Sequence, residues 1–273
     1  MKIRQPAVAG MFYPADRNEL LQTLDSLFAL AKETETKREL PIAGIIAPHA
    51  GYVYSGKTAA YAYNTVFGKK YKTVAVVSPS HREYFPGISV YDGDAYETPL
   101  GTIAIDDELR RELTYNSRYV FGGEEGHRGE HALEVHLPFL QYALANDFKL
   151  LPIVMGDQKE GYINELATKL AEIYDDEILL VASTDLSHYY PRSIAEELDS
   201  NVERRINAFQ FEELRKDVER KLSEACGAGP TVAVMKALYQ KGKRRAETLY
   251  RTDSGEASRD FSQVVGYLSA IIY

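Results

Sequence analysis

Three histidines and the single cysteine of this 273-residue chain are side chains that bind metals, and each histidine follows an apolar segment. His49, His81 and His188 lie within a few residues of the ends of short apolar runs. Cys226 precedes a glycine-rich turn at the start of a predicted helix, where the helix dipole favours a thiolate. Imidazoles with a thiolate suit zinc, copper or iron. The four side chains predict a metal site, although a lone cysteine is also typical of a small buried apolar position.

A carboxylate precedes one of these histidines by three residues. One local turn can bring Asp185 and His188 into the same pocket, where a carboxylate orients an imidazole and raises its basicity. The spacing therefore favours His188 as a metal ligand or as a general acid and base. It is also compatible with Asp185 as a helix N-cap.

The apolar runs alternate with amphipathic segments, which predicts parallel strands joined by helical crossovers and a sheet covered on both faces. Buried parallel strands are predicted at Ile42 to Ala47, Thr73 to Ser78, Lys149 to Met155 and Ile178 to Ser183, and a late strand at Val264 to Ile272. Helices are predicted at Thr58 to Phe67, His131 to Ala145 and Tyr162 to Tyr174, then in one long charged segment from Ile194 to Ala225, and again after Cys226. Ile88 to Ile105 is predicted to form antiparallel strands or an insertion, and Lys32 to Glu39 a helix end and loop. Ligands of such sheets bind beyond the carboxyl ends of the strands, which is where the histidines lie.

Length and composition indicate one domain over residues 1–273. No apolar run is long enough to span a bilayer, and the start lacks the apolar core of a signal peptide. One cysteine agrees with a reducing compartment, so we expect a cytoplasmic protein. The net charge of −8 argues against nucleic-acid binding.

The run from Gly51 to Thr58 matches the phosphate-binding pattern G-x-x-x-x-G-K-[ST] and lies between a predicted strand and a helix. Asp157 and Asp185, at the ends of apolar strands, could serve as magnesium partners. The bulky residues Tyr52 to Tyr54 fit a phosphate-binding loop poorly. A nucleotide-binding site is therefore kept as the less favoured alternative.

A helix bearing His131 and His136 resembles a metallopeptidase motif at first sight. The two are five residues apart, about 140° around a helix, which excludes that motif. His131 and Glu134 share a face and are predicted to reach the pocket behind the ligands. Glu130 and Glu134 would otherwise favour the helix N-terminus, and His127 is predicted to lie in a surface loop.

Taken together, these residues resemble the Memo family, which is structurally related to class III extradiol dioxygenases, over nearly the whole chain. The resemblance is carried by Arg4-Gln5-Pro6-Ala7-Val8-Ala9-Gly10 with Phe12-Tyr13-Pro14, Ala47-Pro48-His49-Ala50-Gly51-Tyr52 with Tyr54-Ser55-Gly56, Ser78-Pro79-Ser80-His81, Glu130-His131 with Leu133-Glu134, Asp185-Leu186-Ser187-His188-Tyr189, and Cys226-Gly227.

The resemblance implies an α/β fold, a three-layer α-β-α sandwich around a mostly parallel sheet like that of the extradiol dioxygenases. It implies that His49, His81 and Cys226 hold iron or copper, with zinc also compatible, and that His188 is the acid and base beside Asp185. Tyr52 and Tyr54, from the same signature, are expected in the pocket. The thiolate stands where the dioxygenases use a carboxylate, and because it is softer and oxidisable it favours copper or redox chemistry.

Two functions of different classes follow. The first is an iron- or copper-dependent oxidoreductase acting on a small-molecule substrate. The second is a metal-binding module without turnover that binds a peptide or protein partner, since members of the family are associated with signalling and partner proteins. Unchanged metal content in Cys226→Ser and His49→Ala would contradict the metal hypothesis, whereas the nucleotide alternative predicts that magnesium-ATP raises the melting temperature.

Overall fold

The computed structural model describes residues 1–32, 40–144 and 147–273, and the predictions for 33–39 and Ala145 lie outside these ranges. Within them the helices are α1 (Arg17–Lys32), α2 (Tyr52–Asn64), α3 (Asp107–Thr114), α4 (His136–Ala143), α5 (Glu160–Ile173), α6 (Arg192–Asn207), α7 (Phe211–Glu219), α8 (Ala228–Gln240) and α9 (Gly255–Ser258). The strands are β1 (Ile3–Arg4), β2 (Gly44–Ala47), β3 (Thr73–Pro79), β4 (Ile88–Tyr91), β5 (Ala95–Thr98), β6 (Gly101–Ala104), β7 (Val120–Gly123), β8 (Lys149–Met155), β9 (Ile178–Ser183), β10 (His188–Tyr190), β11 (Ala246–Asp253) and β12 (Val264–Ile272). No helix in these ranges is both long enough and apolar enough to cross a membrane.

A large mixed sheet forms the centre of the fold. Its strand order is β10-β12-β2-β9-β3-β8-β4-β7, and β11 also pairs with β12. The central strands β2, β9, β3 and β8 are parallel, as predicted for buried Val-, Ile- and Leu-rich runs. Antiparallel pairs occur on both sides, where β12 joins β2 and β4 joins β8. The parallel part of the sheet is thus its centre, the region that carries the candidate site.

Helices cover both faces of this sheet. Alternate residues of β3 enter different hydrophobic cores: Val74 and Val76 pack in one, and Ala75 and Val77 in the other. Buried residues of α1, α2 and α4 belong to the first core, and those of α3 and α5 to α8 belong to the second. This two-residue alternation is that of a strand buried on both sides. The predicted α/β architecture, a central sheet between helix layers, is confirmed.

Most predicted element bounds agree closely with the structure, and β8, β9 and β12 have the predicted limits. The segment from Ile88 to Ile105 contains β4 and the antiparallel β5–β6 hairpin, which pairs with β1 in a separate small sheet. The helix predicted from His131 begins only at His136, after a run of turns.

The single long helix predicted from Ile194 to Ala225 is wrong, because the segment forms two helices, α6 and α7. Phe209, between them, has a φ of 55°, a left-handed conformation that ends a helix. The Phe209 ring lies 6.2 Å from the rings of both Phe211 and Tyr239. Packing against the second core thus breaks the helix at a site with neither glycine nor proline.

Candidate metal centre

His49, His81 and Cys226 come together at the carboxyl edge of the central strands. His49 lies two residues after β2, His81 two residues after β3, and Cys226 two residues before α8. Because β2 and β3 both pair with β9, the two histidines lie on either side of the end of that strand. One possible ligand atom from each of the three residues lies within 4.8 Å of the others. Three donor atoms at this spacing could hold one metal ion.

The His49 imidazole is held with its Nε2 towards the cysteine. His49 is buried, and its Nδ1 lies 2.7 Å from Ser183 Oγ. That hydroxyl already donates its proton to the Ala132 carbonyl at 2.6 Å, so it accepts from the ring and Nδ1 carries the hydrogen. Burial and the neighbouring histidines keep the pKa of His49 well below its usual range. The ring is therefore neutral, and the free Nε2 lies 3.2 Å from Cys226 Sγ.

The His81 imidazole, with 30% of its side chain exposed, pairs with a buried carboxylate. Its Nδ1 lies 3.0 Å from Glu130 Oε1, and its backbone N–H also donates to Glu130. Burial by itself would raise the pKa of Glu130, but hydrogen bonds from His81 outweigh it and lower that pKa to about 2. Because an ionised carboxylate only accepts, His81 carries its proton on Nδ1 and its Nε2 is free for a metal.

Cys226 lies in a tight turn against the loop that follows β9. The Asp185 N–H donates to Cys226 Sγ at 3.3 Å, and the Cys226 N–H donates to the Asp185 carbonyl at 3.2 Å. A Cβ on Gly227 would lie 2.0 Å from the Ser183 carbonyl oxygen, so only glycine fits there. The Gln158 side chain bonds both the Cys226 carbonyl and the Gly229 N–H, at 2.7 Å each. Burial, and next the Asp185 carboxylate, raise the pKa of the thiol, which is protonated without metal.

Asp185 and His188, predicted as an acid–base pair, have different partners. Asp185 Oδ1 accepts the His49 N–H at 2.8 Å, and burial raises the pKa of Asp185 to about 6. The His188 N–H donates to Glu224 Oε1 at 3.0 Å, and its Nδ1 lies 3.5 Å from the same oxygen. No helix begins at Asp185, since the described chain continues into β10. Glu224 is thus a carboxylate partner of His188 that the sequence does not predict, while Asp185 interacts with the same ring through its charge.

A cavity of about 390 Å³ joins His188 to Cys226, one of the three candidate ligands. Its wall includes His188, Glu224 and Cys226, together with apolar Leu198 and Val218. The volume is within the range of small-molecule pockets. A small molecule in this cavity would therefore contact both the thiol and the candidate acid–base residue.

Of the other residues predicted to lie in the pocket, His131 contacts the candidate ligands, whereas Tyr52 and Tyr54 lie in α2. The His131 ring stacks on His81 at 4.8 Å between ring centroids and lies 5.5 Å from His49. Burial lowers the pKa of His131 to about 4. Tyr52 instead lies in the first core with its hydroxyl donating to the Val135 carbonyl at 2.8 Å, and Tyr54 is half-exposed at the start of α2. His131 thus contacts the rings of two candidate ligands, whereas the Tyr52 hydroxyl is bonded elsewhere in the core.

Glu134 connects to the N-terminal segment rather than to the pocket. Its buried carboxylate forms an ion pair with Arg4 and accepts the N–H groups of Ala7 and Val8, as well as the Tyr13 hydroxyl. Helical spacing predicts that Glu134 lies beside His131, but residues 132–135 form irregular turns before α4 begins. The helical spacing therefore does not apply to this pair.

His127, predicted in a surface loop, is buried, which corrects that prediction. Its Nδ1 lies 2.6 Å from the Tyr96 hydroxyl, and burial lowers the pKa of His127 to about 3. His127 is therefore a neutral core histidine. The nearby glycines Gly126 and Gly129 are typical of a surface loop, and the burial of His127 depends on packing against segments far away in sequence.

The nucleotide-binding alternative at Gly51 to Thr58 is wrong. Tyr52 begins α2, so residues 52–58 form helix instead of a loop that could surround phosphates. Lys57, which would have to reach the phosphates, forms an ion pair with Glu256 at 2.5 Å. The segment matches the sequence pattern of a phosphate-binding loop without having its backbone conformation.

Sequence reasoning missed the support of the site. Ser183 follows the apolar run of β9, and a hydroxyl at that strand end was the available signal. The spacing of Glu130 indicates only a charge at a helix N-terminus, and no local pattern marks Glu224 or Gln158. Their roles depend on contacts across 36 to 134 residues of chain, which no local spacing reveals.

Comparison with known proteins agrees with this architecture. The family described as "Memo-like protein" matches residues 4–271. A MEMO1 family protein from Thermoplasma volcanium is 37% identical over 98% of each chain, and one from Methanosarcina barkeri is 39% identical over 99% of this chain and 100% of its own. The crystal structure of an uncharacterized protein from Escherichia coli K12 is 15% identical with a TM-score of 0.53, covering 85% of this chain and 100% of that one. At that identity the last likeness concerns the fold alone.

Proposed function

The chain belongs to the Memo-like protein family, and we propose that it is an oxidoreductase that holds one iron or copper ion on His49, His81 and Cys226. The observation that carries the proposal is the approach of the three possible ligand atoms to within 4.8 Å of one another. The donor set fits such an ion, because the hydrogen bonds to Ser183 and Glu130 leave both Nε2 atoms without a proton.

The choice of metal follows from the softness of the donors. Two imidazoles with a thiolate are the ligand set of copper electron-transfer sites, and they also accept iron or zinc. Bound iron or copper would supply a Lewis acid or a one-electron redox centre. Zinc remains the redox-inactive option.

The residues around the cluster would bind the substrate and move its protons. His188 lines the 390 Å³ cavity together with Cys226, so it would hold or receive a proton beside a bound small molecule. Glu224 would orient His188, since its carboxylate accepts the His188 backbone N–H and lies 3.5 Å from the ring Nδ1. Asp185 holds the His49 backbone and thereby the turn that carries this ligand.

A metal-binding module without turnover is the second candidate. The observation that favours it is the exposure of Tyr189, the neighbour of His188. Tyr189 is 69% exposed and therefore available to a peptide or protein partner. In that case the metal would be present and oxygen-dependent turnover absent.

The test is elemental analysis of anaerobically purified protein, alongside the variants Cys226→Ser and His49→Ala. We expect about one equivalent of iron or copper in the natural protein and little in either variant, because loss of one of three ligands removes much of the affinity. His127→Gln is the matched control, since His127 is also buried but lies outside the cluster. Equal metal content in the natural protein and in both ligand variants would contradict the proposal.

A further inference from the structure

Two sets of hydrogen bonds, joined through the backbone of Ala132, connect the two candidate histidine ligands behind the metal centre. His49 Nδ1–H donates to Ser183 Oγ at 2.7 Å, and Ser183 donates to the Ala132 carbonyl at 2.6 Å. The N–H of the same Ala132 donates to Glu130 Oε1 at 2.9 Å, and that oxygen lies 3.0 Å from His81 Nδ1. One short segment, residues 130–132, therefore supports both imidazoles.

The Glu130 carboxylate is held in place by the main chain. It accepts the backbone N–H groups of His81, His131 and Ala132, and the side chain is buried. Backbone donors do not rotate, so they fix the plane of the carboxylate and aim Oε1 at the His81 ring. Its lone pairs are largely occupied by these donors. Although Glu130, His81 and His131 are close enough together to be considered as metal ligands, the occupied carboxylate is a support and not a ligand.

We propose that Glu130 is a positioning residue that keeps the proton of His81 on Nδ1 and so leaves Nε2 free for the metal. Ser183 does the same for His49. The inference rests on the proposed function in one respect, that these two histidines bind the metal. The two supports differ in charge, and because a carboxylate makes an imidazole a stronger donor than a hydroxyl does, losing Glu130 costs more affinity than losing Ser183.

The test uses Glu130→Gln, which preserves size while replacing one oxygen with an amide. The neutral amide removes the charge that holds the ring proton on Nδ1. Where its NH₂ takes the place of Oε1 it faces the N–H groups of His131 and Ala132 and can donate to His81 Nδ1, which would move the ring proton to Nε2 and block the ligand atom. We expect nitrogen-15 NMR of the metal-free protein to show His81 with its proton on Nδ1 in the natural chain and on Nε2, at least in part, in the variant. Zinc affinity, measured by competition with a chelator, should fall about 10- to 100-fold.

Three further variants separate positioning from general destabilisation. Glu134→Gln is the matched control, because Glu134 is an equally buried carboxylate nearby whose bonds go to the N-terminal segment. It should lower the melting temperature and leave zinc affinity unchanged. Ser183→Ala should lower the zinc affinity less than Glu130→Gln does. Glu130→Asp keeps a carboxylate, so it should keep the His81 proton on Nδ1.

Two results would overturn the inference. One is a natural chain in which His81 carries its proton on Nε2. The other is a folded Glu130→Gln variant whose zinc affinity lies within about twofold of the natural protein, against the tenfold or more expected for such a support. Failure of the natural protein to bind any metal would contradict the proposed function, and the NMR tautomer of His81 would still decide the role of Glu130.

Discussion

At the scale of single residues, two of the candidate ligands, His49 and Cys226, are neutral when no metal is bound. Burial holds the pKa of His49 low and that of the Cys226 thiol high, so neither group carries a charge near neutral pH. Neutral groups cost far less to bury than charged ones. The fold can therefore hold the ligands together before a metal arrives.

The identity of the third ligand should set the preference among metals. Cys226→Asp replaces the soft thiolate with a hard carboxylate, so we expect the affinity for Cu⁺ to fall by on the order of tenfold more than the affinity for Zn²⁺. Competition with chelators of known affinity measures both ions. Cys226→Ser is the control and should weaken both. Equal losses for the two ions in Cys226→Asp would show that Cys226 does not determine selectivity.

At the scale of elements, β10 has a backbone irregularity beside His188. Tyr189 has a φ of 63°, and the pairing of β10 with β12 shifts register between His188 and Tyr190. The extra residue is typical of a β-bulge, a device that redirects a neighbouring side chain. A tyrosine in a left-handed conformation is strained, and such strain is common at functional sites.

Comparison of Tyr189→Gly with Tyr189→Ala isolates this strain, because both variants lose the ring. In ordinary strand conformation glycine is less stable than alanine by roughly 0.5–1 kcal/mol. At a positive φ the order should reverse, because alanine would pay roughly 1–2 kcal/mol of strain. We expect the glycine variant to be more stable by up to about 1 kcal/mol in urea unfolding. An alanine variant that is the more stable would exclude a left-handed Tyr189.

At the scale of the whole molecule, buried polar contacts fasten the outer elements to the site. Asp199 of α6 accepts the Ser187 N–H at 3.0 Å and so connects that helix to the loop before His188. A Cβ on Gly266 of β12 would lie 1.9 Å from Asp199 Oδ2, so the carboxylate packs directly on the sheet. Burial raises the pKa of Asp199 to about 6, against the lowering effect of the bond from Ser187 and of Arg251.

This raised pKa predicts a pH-dependent stability. The folded protein binds the Asp199 proton more tightly than the unfolded chain does, so the stabilisation is complete below the unfolded pKa and is lost as pH rises through about 6. Asp199→Asn cannot ionise and should gain about 2–3 kcal/mol relative to the natural protein between pH 4 and pH 7. Urea unfolding of both proteins across this range measures the gain. If the difference in free energy of unfolding between the two proteins did not change with pH, the raised pKa of Asp199 would be contradicted.

The sequence by itself determined the central strands and the edge of the sheet at which the chemistry lies. The runs of β8, β9 and β12 are mostly apolar and almost entirely buried, so their composition predicts them without any partner strand. His49 and His81 could be placed at one edge because parallel strands end on the same side of a sheet.

Tertiary structure alone decided which groups support those side chains. Phe209 ends α6 through ring packing, and Glu224 pairs with His188 across 36 residues of chain. Glu130 reaches His81 across 49 residues of chain. Hydrophobic periodicity is a local property that can be seen in one segment, whereas a hydrogen-bond partner is selected by the packing of segments far apart in sequence. That is why strands and ligands could be predicted, and the network behind the ligands could not.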